Sequence, residues 1–399
     1  MRIARFNNLF SYFCCSQLVF LPIYFYRTPL ISETVPTDKA MVMHLLGILW
    51  SAVGYLTARL SCLPGAGGPP DEREGGSYSF RMAFYLSSYA LVLLGTTVAV
   101  LQVVLFVPLT EYLPRLFGGD FEAGIREAFL TPSEEEGLPG IVKMFSYAPL
   151  SVYLMSLGLS NFLRLGDADA RKLRNLGMAA LVATVVKVFF SLDRLTIMAV
   201  LLANIFVIVK KGSMKRIRYW LLLALFVLLA DYLSTKRLED VGIVEFTLLY
   251  FKLGLVNFQL MIDTCSEFTY GFSTILGPLY YVMKVAGLPA PDFVLDSSYE
   301  WEWSPLQYFS SYAFQDYGYF YFILFYFTGL VLFVVDFSTL KRKSIYGTAI
   351  YFAVLYGVVS FLFVPAIKGV DFWFSLLLPL LLVRLFSREL RRREAELRA

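Results

Sequence analysis

The sequence predicts an all-α, polytopic integral membrane protein. Hydrophobic residues make up 58% of the 399 residues, and the mean hydropathy is +0.63, which is far from the balance of a soluble domain. Apolar runs about as long as a membrane-spanning helix recur along the chain. Lys and Arg are concentrated in alternate connecting segments. Together these observations predict about ten transmembrane helices in a single membrane domain over residues 1–399.

Each predicted span is a run that is apolar enough to cross the hydrocarbon core, which is about 30 Å thick and requires roughly 20 residues of helix. The ten predicted spans are 9–26, 40–58, 82–109, 141–163, 175–192, 195–209, 219–233, 318–335, 345–366 and 370–386. Most of them are joined by short segments, so we expect neighbouring helices to run antiparallel.

The charges of the connecting segments predict the orientation, because cytoplasmic loops carry the excess of Lys and Arg. A cytoplasmic N-terminus assigns 23 of the 35 basic residues to the cytoplasm, but only 9 of the 31 carboxylates, Asp336 among them. The basic segments are the N-terminal tip, 59–81, 164–174, 210–218, 341–343 and 384–399. We therefore expect both termini to be cytoplasmic and the basic tail to be a helix end at anionic lipid headgroups. The net charge of +4 follows mainly from this sidedness and does not indicate nucleic-acid binding.

A long external segment, 234–317, separates spans seven and eight, and it is not a polar linker. Its stretch 241–262 has the length of a helix but carries Glu245 and Lys252. We interpret it as a helix in the outer interface or packed on the bundle, with a re-entrant segment as the alternative. The aromatic and acidic stretch before span eight is typical of either a membrane belt or a sugar-stacking surface.

A charged bend interrupts the apolar stretch between spans five and six. From Leu195 to Val209 the helix is about 22 Å long, short of the membrane core. Lys187 and Arg194 are then expected in the outer half of the membrane, with Asp193 as an N-cap. Cations facing a cavity in the outer leaflet suit a phosphate-bearing lipid, because Arg holds phosphate oxygens in pairs and Lys acts as a point charge. Lys236, Arg237 and Lys252 are candidates to join them.

The sequence lacks the motifs of several catalytic classes. His44 is the single histidine and lies in span two, which excludes Ser-His-Asp chemistry outside the membrane and HExxH metal sites. The one DxD motif, Asp167 to Asp169, lies in a short predicted loop and is interpreted as solvated. We therefore predict no metal and no cofactor. External carboxylates are plentiful, and Asp263 and Glu267 are spaced to share a helix face.

Several short motifs, in order over about residues 175–335, resemble the Wzy-type O-antigen or oligosaccharide repeat-unit polymerases. The first is an Arg that opens a span in "DRLTIMAVLL", and the second is the basic turn "TKR" after the next span. The others are "LLYFKLGLVNFQLMI", "TYGFSTILGP" and "YAFQDYGYFYFILFYFTG", with a long outer segment between two spans. The motif residues are Arg194, Arg237, Gly254, Asn257, Tyr270, Gly271, Thr274, Asp316, Gly318 and Gly329.

The resemblance implies a metal-independent glycosyltransferase with a glycosyltransferase-C-like fold in the bacterial inner membrane. It would join polyprenyl-pyrophosphate-linked glycans on the periplasmic face, with donor and acceptor both lipid-linked and with a chain-length regulator as a possible partner. Preorganised cations would stabilise the charge on the leaving pyrophosphate, and a carboxylate would take the acceptor proton. The expected catalytic residues are Arg194, Arg237, Asp263, Glu267 and Asp316. The expected substrate-binding residues are Lys187, Lys236, Lys252, Asn257, Tyr270 and Thr274.

Two other functions are compatible with the same pattern. An O-antigen ligase shares the general architecture, but that family is expected to use an external His, and this chain has none there. A non-enzymatic transporter of lipid-linked oligosaccharides would use the cationic residues for binding only. Such proteins usually contain internal halves, and we detect none in this sequence.

Overall fold

The computed structural model describes residues 8–18, 20–25, 37–62, 77–105, 110, 140–191, 194–211, 243–265, 268, 270, 309–360 and 370–390. About 91% of this part of the chain is helical, so the all-α fold class is confirmed. The chain divides into two compact units. Unit 1 comprises Met1–Asp71, Val244–Lys341 and Val354–Phe372, and unit 2 comprises Glu72–Ile243, Arg342–Ala353 and Trp373–Ala399.

Unit 1 contains the helices of predicted spans one, two and eight and two helices of the predicted external segment. Its helices are α1 (Leu9–Leu18), α2 (Phe20–Phe25), α3 (Asp38–Ser61), α9 (Ile243–Thr264), α10 (Phe309–Tyr317) and α11 (Phe322–Asp336). A 3₁₀ turn, Gly318–Phe320, joins the last two, and a π-helical turn, Phe337–Lys341, extends α11. The helix predicted at 241–262 is thus confirmed as α9.

Unit 2 contains the middle helices and a small antiparallel sheet. Its elements are β1 (Ser77–Phe80), α4 (Met82–Val104), α5 (Gly140–Met144), α6 (Ala148–Phe162), α7 (Asp167–Ser191), α8 (Arg194–Lys211) and β2 (Ser387–Leu390). A 3₁₀ turn, Phe145–Tyr147, joins α5 to α6. Helices α12 (Ile345–Ser360) and α13 (Val370–Phe386) each have residues in both units.

Four of the described helices are long and apolar enough to cross a membrane: Asp38–Ser61, Met82–Val104, Asp167–Phe190 and Phe322–Lys341. Shorter apolar helices cover Leu9–Phe25, Ile345–Val358 and Phe372–Phe386. Each of these seven helices overlaps one predicted span. The helix of span five begins earlier than predicted, at Asp167, the helix of span eight extends further, to Lys341, and the described helix of span nine ends at Ser360. Span seven lies outside the described residues, and the total of about ten spans stays a prediction.

Helix α3 exposes its large apolar side chains and buries its small and polar ones. The exposed side chains recur every three or four residues and are Val42, Leu46, Leu49, Val53, Leu56 and Leu60. The buried set on the opposite face includes His44, Gly47, Ser51, Gly54 and Ala58. A helix in water would reverse this arrangement, whereas a helix in lipid packs through small residues and faces the acyl chains with large ones. This pattern indicates a membrane-embedded protein.

Small residues bring α3 and α11 into backbone contact. A side chain at Gly54 would collide with the carbonyl oxygen of Tyr326, and one at Gly329 would collide with that of Ser51. The Ser51 hydroxyl donates to the carbonyl oxygen of Phe325 at 3.0 Å. Because lipid provides no hydrophobic force between helices, this close packing and the interhelical hydrogen bond hold the pair together.

At the charged bend between spans five and six, the described part of α7 ends at Ser191 and that of α8 begins at Arg194, and residues 192 and 193 lie outside the described residues. The start of α7 differs from the prediction. The segment 164–174, predicted as a loop, is helical from Asp167. Asp167 and Asp169 both lie in the first turn, where carboxylates interact favourably with the helix N-terminus. The DxD motif is therefore part of a helix start.

The two strands join basic segments that the sequence places on one side of the membrane. Strand β1 pairs antiparallel with β2, and Tyr78 also forms a bridge with Leu165. The start of the predicted helical tail is thus a β-strand, because 387–390 finds a backbone partner in 77–80. In the same unit, Lys210 of the basic segment 210–218 lies over the ring of Phe162. Because successive predicted helices cross the membrane in opposite directions, the basic segments of unit 2 lie at one end of it. We call this end the basic end of unit 2.

Candidate functional site

An open groove lies at the Asp38 end of α3 in unit 1. It has a volume of about 410 Å³ and is lined by Asp38, Lys39, Val42, Met43, Ile262 and Tyr319. Its floor is apolar, while its charged and phenolic groups stand at the edge. Helix α3 has 24 residues and Arg59 in its last turn, so the groove lies about 35 Å from the basic end of this helix. The groove is therefore at the end predicted to face the periplasm.

A hydrogen-bond network between α3 and α9 lies next to this groove and shares Lys39 with its lining. Lys39 Nζ contacts Asp263 Oδ1 at 2.7 Å, and Gln259 Nε2 donates to Asp263 Oδ2 at 2.7 Å. Gln259 Oε1 in turn accepts the backbone N–H of Ala40 at 3.0 Å. That N–H belongs to the first turn of α3, where backbone donors lack a partner within the helix. Gln259 thus caps α3 and orients the Asp263 carboxylate at once.

The same network keeps Asp263 ionised. The hydrogen bond from Gln259 and then the contact with Lys39 lower the pKa of the Asp263 carboxyl group below its usual range. A general base works best when its pKa is near the working pH. Asp263 is therefore poorly suited to abstract a proton and well suited to accept a hydrogen bond from a hydroxyl group of a ligand.

Tyr24 and Lys252 extend the network along the outer end of unit 1. The Tyr24 hydroxyl donates to Asp38, which opens α3. Lys252 Nζ donates to the carbonyl oxygen of Tyr24 at 3.0 Å and lies 5.8 Å from the centroid of its ring. The Lys252 ammonium is therefore bound to Tyr24 at the C-terminal end of α2. In the same helix α9, residues 253–259 are buried on every face, Asn257 and Gln259 included.

Asp316 lies in a helix that is buried throughout. Residues 309–316 of α10 are all buried, and Asp316 has no exposed surface. Phe314 packs this helix against α9, with its ring 6.2 Å from that of Phe258. The sequence predicted an exposed aromatic surface here, and the structure shows a packed helix for residues 309–317 instead. A sugar hydroxyl does not reach the Asp316 carboxylate in this conformation.

Tyr270 is strongly exposed and has an unusual backbone. Its relative exposure is 80% and its φ angle is +50°, a region that bulky residues rarely adopt. Two residues earlier, the ring of Phe268 packs on Gly318, which itself has a φ angle of +54°. Gly318 immediately precedes the groove residue Tyr319. The Tyr270 ring is thus presented to solvent from a segment anchored beside the groove.

Lys187 lies in unit 2, buried between α7 and α8. Its ammonium is 3.8 Å from the centroid of the Tyr147 ring and 3.4 Å from the Thr196 hydroxyl oxygen. Only 3% of the residue is exposed. A cation held on an aromatic face is stabilised by the ring quadrupole, and more strongly where water is excluded. The sequence predicted that Lys187 lies in the outer half of the membrane and faces a cavity. The structure instead encloses its ammonium within the protein.

The remaining predicted site residues are described in part or not at all. The structure describes the backbone of Arg194, which begins α8, but not its side chain. Asp193, Lys236, Arg237, Glu267 and Thr274 lie outside the described residues. Of the predicted set, the structure brings Lys252 and Asp263 into one network. It assigns Lys187 and Arg194 to unit 2, and Lys252, Asn257, Asp263 and Asp316 to unit 1.

His44 is enclosed in unit 1 rather than available to a ligand. Its Nδ1 is 2.6 Å from the Ser310 hydroxyl, and its Nε2 is 3.4 Å from the carbonyl oxygen of Gln17. A carbonyl only accepts hydrogen bonds, so Nε2 carries the proton and Ser310 donates to Nδ1. The ring joins three helices, α1, α3 and α10.

Sequence reasoning missed the groove residues Lys39 and Tyr319, and it also missed Tyr24 and Gln259 of the adjoining network. Lys39 and Tyr319 flank predicted spans, where charged and aromatic residues are ordinarily assigned to the membrane interface. A usable signal was present in α9, where Gln259 and Asp263 are four residues apart and share a helix face. We compared the chain with protein-family models, curated proteins and solved structures, and nothing matched.

Proposed function

We propose that the chain is an integral membrane glycosyltransferase of the repeat-unit polymerase type, which joins polyprenyl-pyrophosphate-linked oligosaccharides. The observation that carries the proposal is the groove of unit 1, where Asp38, Lys39 and Tyr319 stand among apolar residues and the Asp263 carboxylate is paired with Lys39 beside the groove. Sugars present hydroxyl groups at their edges and apolar faces, which bind to polar side chains and aromatic rings respectively. This groove matches both features at the end predicted to face the periplasm.

Each charged group of the groove has a proposed role in binding a glycan. Asp38 and Asp263 accept hydrogen bonds from sugar hydroxyls, and Lys39 donates to them. Tyr319, which is 70% exposed, offers its ring for stacking. Because Lys39 is already paired with Asp263, the groove is not strongly cationic and favours the glycan over the pyrophosphate.

For the pyrophosphate we propose the cations of the charged bend and of the turn after span seven, with Arg194 and Arg237 first and Lys187 and Lys236 in support. Departure of the pyrophosphate leaves negative charge on its oxygens, and preorganised cations stabilise that charge. Thr274 and Tyr270 are proposed to assist in glycan binding. Among the carboxylates, Glu267 becomes the preferred candidate base, because Asp316 is buried and the pKa of Asp263 is lowered.

The proposal is tested with purified protein in vesicles supplied with a synthetic polyprenyl-pyrophosphate repeat unit. A ladder of lengthening products supports a polymerase. Transfer only to added lipid A core identifies a ligase, and movement of unchanged substrate across the bilayer identifies a transporter. Either of the latter outcomes overturns the proposal.

Variants at and beside the groove test whether the activity depends on this site. Asp263→Asn and Tyr319→Ala are each expected to shorten or abolish the ladder while the protein keeps its elution volume in gel filtration. Tyr346→Ala serves as the matched control, because Tyr346 is an exposed tyrosine that is not part of the groove. If all three variants gave the same ladder as the unaltered protein, the activity would not depend on the groove.

A further inference from the structure

Three lysines from two segments of unit 2 meet at its basic end. Lys210 and Lys211 form the last turn of α8, and Lys343 lies in the turn before α12. Lys210 Nζ is 3.3 Å from the centroid of the Phe162 ring, which belongs to a buried aromatic group with Phe206 and Tyr351. The ring fixes the position of the Lys210 ammonium at the edge of the core, and Lys211 and Lys343 are close enough to repel it.

No carboxylate within the described parts of the chain balances these three charges by an ion pair. The acidic residue nearest to Lys343 in sequence is Asp336, whose carboxylate accepts the backbone N–H of Leu9 in unit 1. Asp167 and Asp169 follow Phe162 at the start of α7. Asp169 accepts the Tyr85 hydroxyl at 3.0 Å. Partial burial, and then the charges of Lys211 and Lys343, lower the pKa of the Lys210 ammonium to about 8. The cluster is thus a concentration of positive charge without a counter-charge of its own.

The backbone at Lys343 is strained. Its φ angle is +51°, in the left-handed region where Gly or Asn is usual. Such strain persists where the surrounding structure imposes it, and it often marks binding sites. The turn places the Lys343 charge beside Lys210 at a conformational cost that an uncharged asparagine or glycine would largely avoid.

We propose that Lys210, Lys211 and Lys343 bind the headgroup phosphate of an anionic phospholipid. The lysines stand at the end of the apolar helix α8, one residue beyond the predicted span 195–209, which is the depth of lipid headgroups. Basic pockets between transmembrane helices on the cytoplasmic side recognise such headgroups. Leu201, Leu202, Ile205 and Val209 of α8 are partly exposed apolar residues below the lysines, and they offer the acyl chains a contact that free phosphate would not use.

The bound lipid would act as a counter-ion that joins two parts of unit 2. It would relieve the repulsion among the lysines and link the end of α8 to the start of α12. We therefore expect an anionic phospholipid to raise the unfolding temperature of the protein, and a zwitterionic lipid of the same chain length to leave it nearly unchanged.

The experiment measures thermal unfolding of the full chain in a neutral detergent with added short-chain phosphatidylglycerol, phosphatidylcholine or inorganic phosphate. We expect phosphatidylglycerol alone to raise the midpoint substantially. An equal rise with phosphatidylcholine would show that charge is not recognised, and an equal rise with inorganic phosphate would show that the site binds free anions. Either result overturns the proposal.

Charge-removing variants locate the effect. The triple variant Lys210→Gln, Lys211→Gln, Lys343→Asn should lose the phosphatidylglycerol shift, with at least a tenfold weaker apparent affinity. Lys343→Asn alone should weaken binding several-fold in a well-folded protein, because asparagine tolerates the backbone conformation. Arg384→Gln removes an exposed cation of the last turn of α13 and should keep the full shift. An unchanged shift in the triple variant would refute the assignment.

Discussion

The backbone N–H of Leu9 donates a hydrogen bond to Asp336 Oδ1 at 3.0 Å, although the two residues are 327 positions apart. Leu9 begins α1 and Asp336 ends α11. Asp336, which the charge count assigns to the cytoplasmic side, is 4% exposed and is therefore enclosed by the protein. Its charge satisfies a helix N-terminus, where backbone donors and the helix dipole both favour an anion.

Asp336→Leu should therefore destabilise unit 1 by about 1–3 kcal/mol, because a buried backbone donor at the start of α1 loses its acceptor. Asp336→Asn keeps an acceptor oxygen and should cost less. Chemical unfolding in detergent, followed by circular dichroism, measures both. Equal stability of the Leu variant and the unaltered protein would contradict the capping role.

Replacing Gly54 or Gly329 by valine should separate α3 from α11. Either side chain meets backbone atoms of the facing helix, so the cost should be about 1–3 kcal/mol, as for other overpacked cores. Gly166→Ala is the control, because nothing lies within 4 Å of its added carbon. Thermal unfolding in detergent should show a lower midpoint for the first two variants only. A similar loss in all three would point to glycine flexibility rather than packing.

Lys187→Met tests whether the buried cation acts in catalysis. Methionine fills a similar volume without the cost of burying a charge, so we expect unfolding stability to stay the same or rise. The proposed function predicts at least a tenfold loss of polymer formation in vesicles. A variant that loses stability but keeps its specific activity would identify Lys187 as structural.

Acidification should loosen the start of α3. The pKa of Asp263 is lowered in the folded state, so its contribution to stability is present above the unfolded value of about 3.9 and is lost as the pH falls through the folded pKa. Hydrogen exchange of residues 37–43, corrected for intrinsic rates, should rise below about pH 4. Asp263→Asn should show faster exchange that no longer changes with pH in this range. The same acid response in that variant would exclude Asp263 as the cause.

Single cysteines test the predicted sidedness. In a background without the four native cysteines, Gly166→Cys lies in the turn next to the Tyr78–Leu165 bridge, and Tyr319→Cys lies at the groove. A membrane-impermeant thiol reagent added to intact cells from outside should label the Tyr319 variant and spare the Gly166 variant. Labelling of the Gly166 variant alone would show that the orientation is opposite to the predicted one.

Hydropathy located most of the described helices because a membrane imposes a length and an apolar character on each span. The start of α8 at Arg194 was likewise predictable, since the charges interrupt an apolar run. The early start of α7 at Asp167 was missed because polar residues continue a helix beyond the membrane core. The strand 387–390 was missed because its partner, 77–80, is remote in sequence, and no local pattern encodes such pairing.

The groove was predicted only in part, for a related reason. Asp263 and Lys252 were candidates because charges on an apolar helix are unusual. Their partners Lys39 and Tyr24 come from segments far apart in sequence, and a single sequence does not reveal which helix ends meet. Asp316 was predicted as a surface carboxylate, yet packing of α10 against α9 buries it.

The contact between α3 and α11 fixes the width of the groove. Met43 belongs to α3 and Tyr319 leads into α11, and the Tyr321 hydroxyl donates to the Met43 carbonyl oxygen at 2.6 Å. Backbone contacts at Gly54 and Gly329, and the ring of Phe325 against Gly47, pack these two helices closely together. A glycan in the groove would meet two walls that are held in place by this packing. The protein would therefore select sugars by their size and ring substituents rather than by closing around them.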